Sequence, residues 1–487
     1  MSAISQIKKL AGESLVYGVS GILTRFISIF LVPVYTRIFS PSDYGIVSLV
    51  VVVSALLNIL LILSLDNSMG RWYYDSEDDL DRKITLNTFL WSCFTIAVLF
   101  AVILFGFRDF IANEIIREPA TAPLLLLAGA NLPLAIFSVF TTNVLRMQRR
   151  AVATTVFTIS TSLINIALNV VFVVVLRWGI PGIFYAQLIS SAVAVIWTFA
   201  LFRDQIAPGL FSWTRWRDMV IFSLPLVPGS VAFWVINLSG AYFVGLMNNT
   251  HEVGLYYIGT NIASVLAMFS GAFQMAWGPF AYSIYKRPEA KQVYAQVLLA
   301  FLASSCLLSL GVLLFAREIL MVFTTKDYAD AAWVAGLMGF NHILIGLSYI
   351  ASIGTGIAKN NKAFGMAMVA SAVILVALNL LLVPRFGKEG AAISILISQL
   401  LVPVAVFAHG QKLYPIPYKF GKAIFIFAAS MLFGIGGVIL LNKMSLSLGA
   451  DLGVKILLVL AYCALLFLVL KSEISSKTIL LDDAPPV

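Results

Sequence analysis

The chain has 487 residues, 60% of them hydrophobic and 11% charged, with a formal net charge of +9. A soluble domain has too little interior to hide that much apolar surface, so composition excludes a water-soluble enzyme or binding module and makes the bilayer the solvent. The positive balance is that expected of a protein facing anionic lipid at an inner leaflet, and it gives no reason to invoke nucleic acid.

Apolar runs able to cross about 30 Å of hydrocarbon follow one another along the chain, continuous rather than alternating, which predicts helices and not a barrel. About fourteen spans are expected, centred near residues 25, 55, 95, 134, 164, 192, 233, 268, 304, 344, 373, 400, 431 and 460. The first follows Lys8 and Lys9 and runs from about Ser14 to Tyr35. It is too long for a signal-peptide core and has no small-residue cleavage site, so it stays as a span. Between spans two and three, "DSEDDLD" (Asp75 to Asp81) contains Asp79-Leu80-Asp81, which resembles the metal-binding pair of some glycosyltransferases. With only a short loop and no catalytic domain around it, it reads as a solvated acidic loop. After span six, "APGLFSWTRWRD" (Ala207 to Asp218) has the Trp and Arg content of a short helix lying at the inner interface. Cys93, Cys306 and Cys463 sit inside apolar runs without partner spacing, so neither a disulfide framework nor a zinc site is indicated. Placing the N-terminus inside puts most of the 32 Lys and Arg residues on the cytoplasmic side. An even number of spans then puts the C-terminus inside as well.

Two stretches recur. "YTRIFSPSDYGIVSL" (Tyr35 to Leu49) returns as "VGLMNNTHEVGLYYI" (Val244 to Ile258), with Glu252 for Asp43 and Gly254 for Gly45. "ALNVVFVVVLRWGIPGIFYAQLIS" (Ala167 to Ser190) returns as "ALNLLLVPRFGKEGAAISILIS" (Ala377 to Ser398), after a two-residue contraction, with Arg-x-Gly-x-x-Gly in both copies. Following no strand and lying between membrane spans, these glycines end one helix and open the next in a tight hairpin; they do not bind a dinucleotide. Six spans separate the copies, so both halves have the same orientation, and parallel repeats of this kind place a substrate site at their interface. The expected organisation is an all-α integral membrane protein with two pseudo-symmetric six-helix lobes plus two C-terminal helices. Its parts are residues 1–206 (first lobe), 207–218 (interfacial linker), 219–412 (second lobe), 413–471 (two added helices) and 472–487 (cytoplasmic tail).

The 23 Asp and Glu residues fall in loops or at span edges, whereas Arg25 lies at the midpoint of span one and His342 near the middle of span ten. A charge at that depth costs about 2.5–3.5 kcal/mol on insertion scales and marks a functional candidate. Ser14, Gly18, Gly21, Arg25 and Ser28 share one small, polar helix face. The matching face of span seven presents Trp234 and Asn237; span eight adds Tyr257 and Asn261, and span ten adds His342 and Tyr349. Against each stands the reading that small and polar side chains simply pack helices together. A cavity with a buried guanidinium and no buried carboxylate favours a phosphate-bearing ligand, and aromatic rings beside it suit the apolar faces of sugars. No metal site or cofactor is expected; the coupling ion, H+ or Na+, is not legible.

The opening "GVSGILTRFISIFLVPVYTRIFSPSDYGIVSL", through Thr36-Arg37, the Ser-Pro turn and Asp43-Tyr44-Gly45, resembles the polysaccharide transporter family of the multidrug/oligosaccharidyl-lipid/polysaccharide exporter superfamily. The resemblance implies a flippase, not an enzyme, that moves an undecaprenyl-pyrophosphate-linked oligosaccharide from inner to outer leaflet of a bacterial or archaeal cytoplasmic membrane by alternating access. It also implies work alongside the polysaccharide polymerase machinery. Three other readings are a drug or cation antiporter of the same fold, which predicts carboxylates at depth; a flippase for the peptidoglycan precursor, which differs in cargo and predicts a richer set of cavity arginines; and a membrane glycosyltransferase, polymerase or ligase, which predicts a large hydrophilic loop or domain.

Overall fold

The computed structural model describes residues 31–444 and 446–475. Among them no strand forms; every long element is a helix, because a backbone in hydrocarbon must satisfy its own hydrogen bonds. In chain order these are α1 (Leu31–Thr36), α2 (Pro41–Ile62), α3 (Leu65–Asp75), α4 (Asp79–Phe110), α5 (Ala122–Met147), α6 (Ala151–Asn169), α7 (Ile180–Phe202), α8 (Trp213–Ser223), α9 (Val227–Met247), α10 (Thr250–Ile284), α11 (Ala290–Phe323), α12 (Ala332–Ile357), α13 (Lys362–Leu413), α14 (Phe420–Met444) and α15 (Leu448–Ser475).

Twelve helical stretches among the described residues are long and apolar enough to cross a membrane. One of them, α13, has 52 residues and breaks at Gly387, whose φ of 53° and ψ of −132° are not helical. The Ser371 hydroxyl donates to the Ser398 carbonyl at 2.7 Å, so the halves of α13 double back as the two spans expected around residues 373 and 400. The first copy of the motif does the same: Gly179, just before α7, has φ 65° and ψ −147°. Both glycines sit in a left-handed conformation that only a residue without Cβ adopts freely, so the Arg-x-Gly-x-x-Gly repeat is a hairpin device, as its placement between spans predicts. The sequence-expected first span lies mostly outside the described residues, apart from α1 at its end.

The chain divides into two compact units. One takes residues through Tyr257 together with Ala372–Ala391; within it α4 packs on α5, α5 and α6 on α7, and α9 on α2. The other takes Ile258–Ser371 and the chain from Ala392 onward; within it α11 packs on α12, α14 and α15.

The acidic stretch at the start of α4 is exposed at Asp75, Glu77, Asp78 and Asp79, as expected of a solvated loop, and departs from that state at Asp81. Arg215 of the linker helix α8 reaches Asp81 at 2.5 Å and the Thr85 hydroxyl at 2.7 Å, and the Ser76 hydroxyl also donates to Asp81. Asn87 clasps the preceding strand of linker, donating to the Gln205 carbonyl at 2.7 Å and accepting from the Ala207 N–H at 2.7 Å. The acids at 78 and 81 therefore divide their work: Asp78 caps α4, accepting from the Leu80 N–H, and Asp81 moors the linker. The Arg215 and Asp81 side chains are 19% and 35% exposed, so solvent screens the pair and its worth is about 1 kcal/mol. A double-mutant cycle of Asp81→Asn and Arg215→Gln, read by thermal unfolding in detergent, should return a coupling of that size. Strict additivity of the two losses would remove the mooring.

Candidate functional site

The two recurring corners pack directly on each other, both within the first unit. At the first, Ser40 caps α2: its hydroxyl accepts from the Asp43 N–H at 3.3 Å while the Asp43 carboxylate accepts from the Ser40 N–H at 2.9 Å. This is a reciprocal capping box, with Pro41 in the first turn. At the second, Asn249 stands where Ser40 does, and its side-chain oxygen accepts from the Glu252 N–H at 2.9 Å. The helix starts thus aimed meet at their glycines. A methyl group on Gly45 would overlap the Thr250 carbonyl, and one on Gly254 would overlap the Pro41 carbonyl and lie 3.1 Å from the Gly45 nitrogen. The approach is one of backbone to backbone, related by the repeat. Beneath it the rings of Tyr35, Phe39, Tyr44 and Tyr257 form a cluster with centroid separations of 5.8 to 6.3 Å.

The Glu252 carboxylate, at the position of Asp43, is engaged elsewhere. It accepts from the Lys388 ammonium at 3.1 and 3.2 Å and from the Lys388 backbone N–H at 3.4 Å, directly after the Gly387 reversal. Glu389 lies 3.3 Å from the same ammonium. Lys388 is 9% exposed along its side chain, so this cation is held among carboxylates rather than in water. The second corner is thus tied to the turn between the two spans of α13.

The residues expected to line a cavity are placed as follows. Arg25 and Ser28 lie outside the described residues. In the first unit the Trp234 indole N–H donates to the Val52 carbonyl of α2 at 3.1 Å, Asn237 donates to the Phe233 carbonyl at 2.8 Å, and Tyr257 joins the corner cluster 6.0 Å from Tyr44. Trp234 therefore fastens α9 to α2, and Tyr257 is the one of these brought to the corner. In the second unit the backbone carbonyls of Asn261, His342 and Tyr349 accept from Ser264 (2.6 Å), Ser270 (3.0 Å) and Ser352 (2.8 Å). All six side chains are half-buried.

Two features were missed from sequence. One is the Glu252–Lys388 pair, whose members are 136 residues apart. The other is a cavity of about 240 Å³ inside the first unit, between α5, α6, α7 and the start of α1, lined by neutral polar residues that include Ser138, Thr161, Asn165, Gln187, Ser190 and Ser191. Asn165, Gln187 and Ser190 lie well inside the apolar stretches Ala151–Val175 and Ile180–Phe202, and amide side chains there were the available signal.

Among the described residues no cluster of three or more His, Cys, Asp or Glu is arranged to hold a metal ion. Comparison with solved structures finds the fold of a known class of membrane transporter. The lipid II flippase MurJ, in an inward closed conformation, matches with a TM-score of 0.72 at 12% identity, over 95% of this chain and 99% of that one. An inward-facing multidrug resistance MATE transporter of the MOP superfamily matches with a TM-score of 0.62 at 16% identity, over 80% of this chain and 94% of that one. At such identities the likeness is one of fold. Comparison with curated protein sequences finds no match. A family model described as polysaccharide biosynthesis protein matches residues 34–280, just over half of the chain and including both corners. The chain is thus a multi-pass membrane protein on a MurJ- and MATE-like fold, and it belongs to the polysaccharide biosynthesis protein family.

Proposed function

We propose that this protein is a flippase that carries a polyprenyl-pyrophosphate-linked oligosaccharide from the inner to the outer leaflet of a cytoplasmic membrane, for surface polysaccharide assembly, with both chain termini on the cytoplasmic side. The family match carries this reading: a polysaccharide pathway needs its lipid-linked intermediates moved across the bilayer, and the fold is that of transporters rather than of transferases. The corners add mechanical support. Backbone meets backbone at Gly45 and Gly254, with the Tyr44 and Tyr257 rings 6.0 Å apart beside it, and a contact of backbone and apolar groups can part and re-form. Alternating access by the two halves of the repeat then exposes the cargo first to one side and then to the other, while the polyprenyl tail stays in lipid. The polymerase machinery would receive the product on the outer side. Arg25 neutralises the pyrophosphate in this scheme, since its planar guanidinium donates in pairs and stays charged.

Mass spectrometry of lipid extracts tests the proposal. A strain lacking the gene should accumulate the lipid-linked oligosaccharide; Arg25→Ala should reproduce that accumulation, and Arg25→Lys should relieve it in part. An unchanged lipid pool together with heightened sensitivity to cationic drugs would favour the antiporter reading that the MATE-like fold also permits.

A further inference from the structure

We infer that the cavity among α5, α6 and α7 is a binding subsite for the uncharged sugar portion of the cargo, an assignment that rests on the flippase reading. Its chemistry is neutral and two-sided. The Thr161 hydroxyl donates to the Phe157 carbonyl at 2.8 Å and the Ser190 hydroxyl donates to the Thr161 carbonyl at 3.1 Å, so what these two oxygens still offer is acceptor capacity. Asn165 accepts through its side-chain oxygen from the Asn169 amide at 3.0 Å, which leaves the Asn165 NH2 as donor. The side chain of Gln187 lies at the same cavity and has both kinds of group. A sugar hydroxyl is donor and acceptor at once and matches this mixture. Among the described residues the lining holds no cation for a phosphate, and a metal cation would meet amide N–H groups and no carboxylate.

The internal repeat separates what the fold requires from what it does not. Thr161 and Ser190 correspond to Ser371 and Ser398, and the second pair also makes one hydroxyl-to-carbonyl bond between adjacent spans, at 2.7 Å and in the opposite direction. That bond belongs to the architecture. Asn165 and Gln187, by contrast, correspond to Leu375 and Ile395, each 1% exposed. The second copy thus builds the same span pair with apolar side chains at positions where the first has amides. Placing amides inside a membrane span is costly unless they are satisfied. The Asn165 side-chain oxygen is used internally, by the buried Asn169 amide; the Asn165 NH2 and the Gln187 amide are what a ligand rich in hydroxyls would satisfy at this cavity.

The test transplants the second copy into the first. Full-length wild type, Asn165→Leu/Gln187→Ile and the milder Gln187→Leu are reconstituted in nanodiscs. Binding is then measured for undecaprenyl pyrophosphate bearing a neutral disaccharide and for undecaprenyl pyrophosphate alone. Wild type should prefer the saccharide-bearing lipid. The double variant should lose about tenfold in affinity for it, the worth of two ordinary hydrogen bonds, with affinity for the bare lipid unchanged; Gln187→Leu, at an exposed position that cannot unfold the helix, should lose part of this. If both variants keep the full preference, the sugar subsite is overturned while the flippase reading stands. If wild type binds neither lipid, the flippase reading falls and takes the subsite with it. If wild-type binding depends on Na+ and the variants abolish only that dependence, the cavity is a cation site and the sugar assignment is wrong.

Discussion

Gly254→Ala is expected to insert and fold yet lose most transport. The new methyl would fall on the Pro41 carbonyl, and a carbonyl in the first turn of a helix cannot rotate away as a side-chain tip can. Overpacking of this kind costs about 1–3 kcal/mol, which shifts the balance between joined and parted corners by about 5–150-fold. Gly45→Ala should act the same way, because its methyl would meet the Thr250 carbonyl. Gly271→Ala, on the same helix as Gly254 but with no atom within 4 Å of the added carbon, is the matched control. Rates of oligosaccharide translocation, normalised to membrane-inserted protein, should separate the first two from the third. Equal rates in all three variants would show that the corners need not touch during the cycle.

Lys455→Met should be the most destabilising single change in the second unit. Lys455 of α15 is 7% exposed along its side chain, and its ammonium lies 2.5 Å from Glu318 of α11 and 2.8 Å from Asp451 one turn earlier. Removing the cation strands two half-buried carboxylates against each other, and breaking a buried pair from one side costs about 3–5 kcal/mol. The other oxygen of Glu318 already has no hydrogen-bond partner among the described residues, so it has no reserve contact to fall back on. Thermal unfolding in detergent should therefore show a large loss for Lys455→Met. Most of that loss should be recovered by the triple variant Glu318→Gln/Lys455→Met/Asp451→Asn, in which nothing charged remains to be buried. No recovery would mean that the lysine's own packing matters more than its pairing with the two carboxylates.

What could be read from the sequence was whatever acts locally. Gly179 and Gly387 announced hairpins because a positive φ must be served by the residue itself. The Ser-Pro turn was legible for the same reason, since Ser40 caps α2 within three residues of itself. The helices followed from apolar runs that only a bilayer could accommodate. Pairings across the chain were not legible in the same way. Asp81 was taken for solvated because its partner, Arg215, lies 134 residues further on. Lys388 and Glu252 read as two surface charges for the same reason. The cavity escaped because its amides and hydroxyls lie on three different spans, and which span faces meet is not written in any one of them.

Each hairpin reverses on one glycine, Gly179 in the first copy (φ 65°, ψ −147°) and Gly387 in the second (φ 53°, ψ −132°). Helix resumes directly after that glycine, so one residue inserted between Gly387 and Ser398 must turn every following position of the last stretch of α13 by about 100° around its axis. That rotation would swing Ser398 off Ser371 and move its lipid-facing side chains inward. The spacing from Gly387 to Ser398 is therefore a register, and it constrains this protein more tightly than the identity of most residues within it.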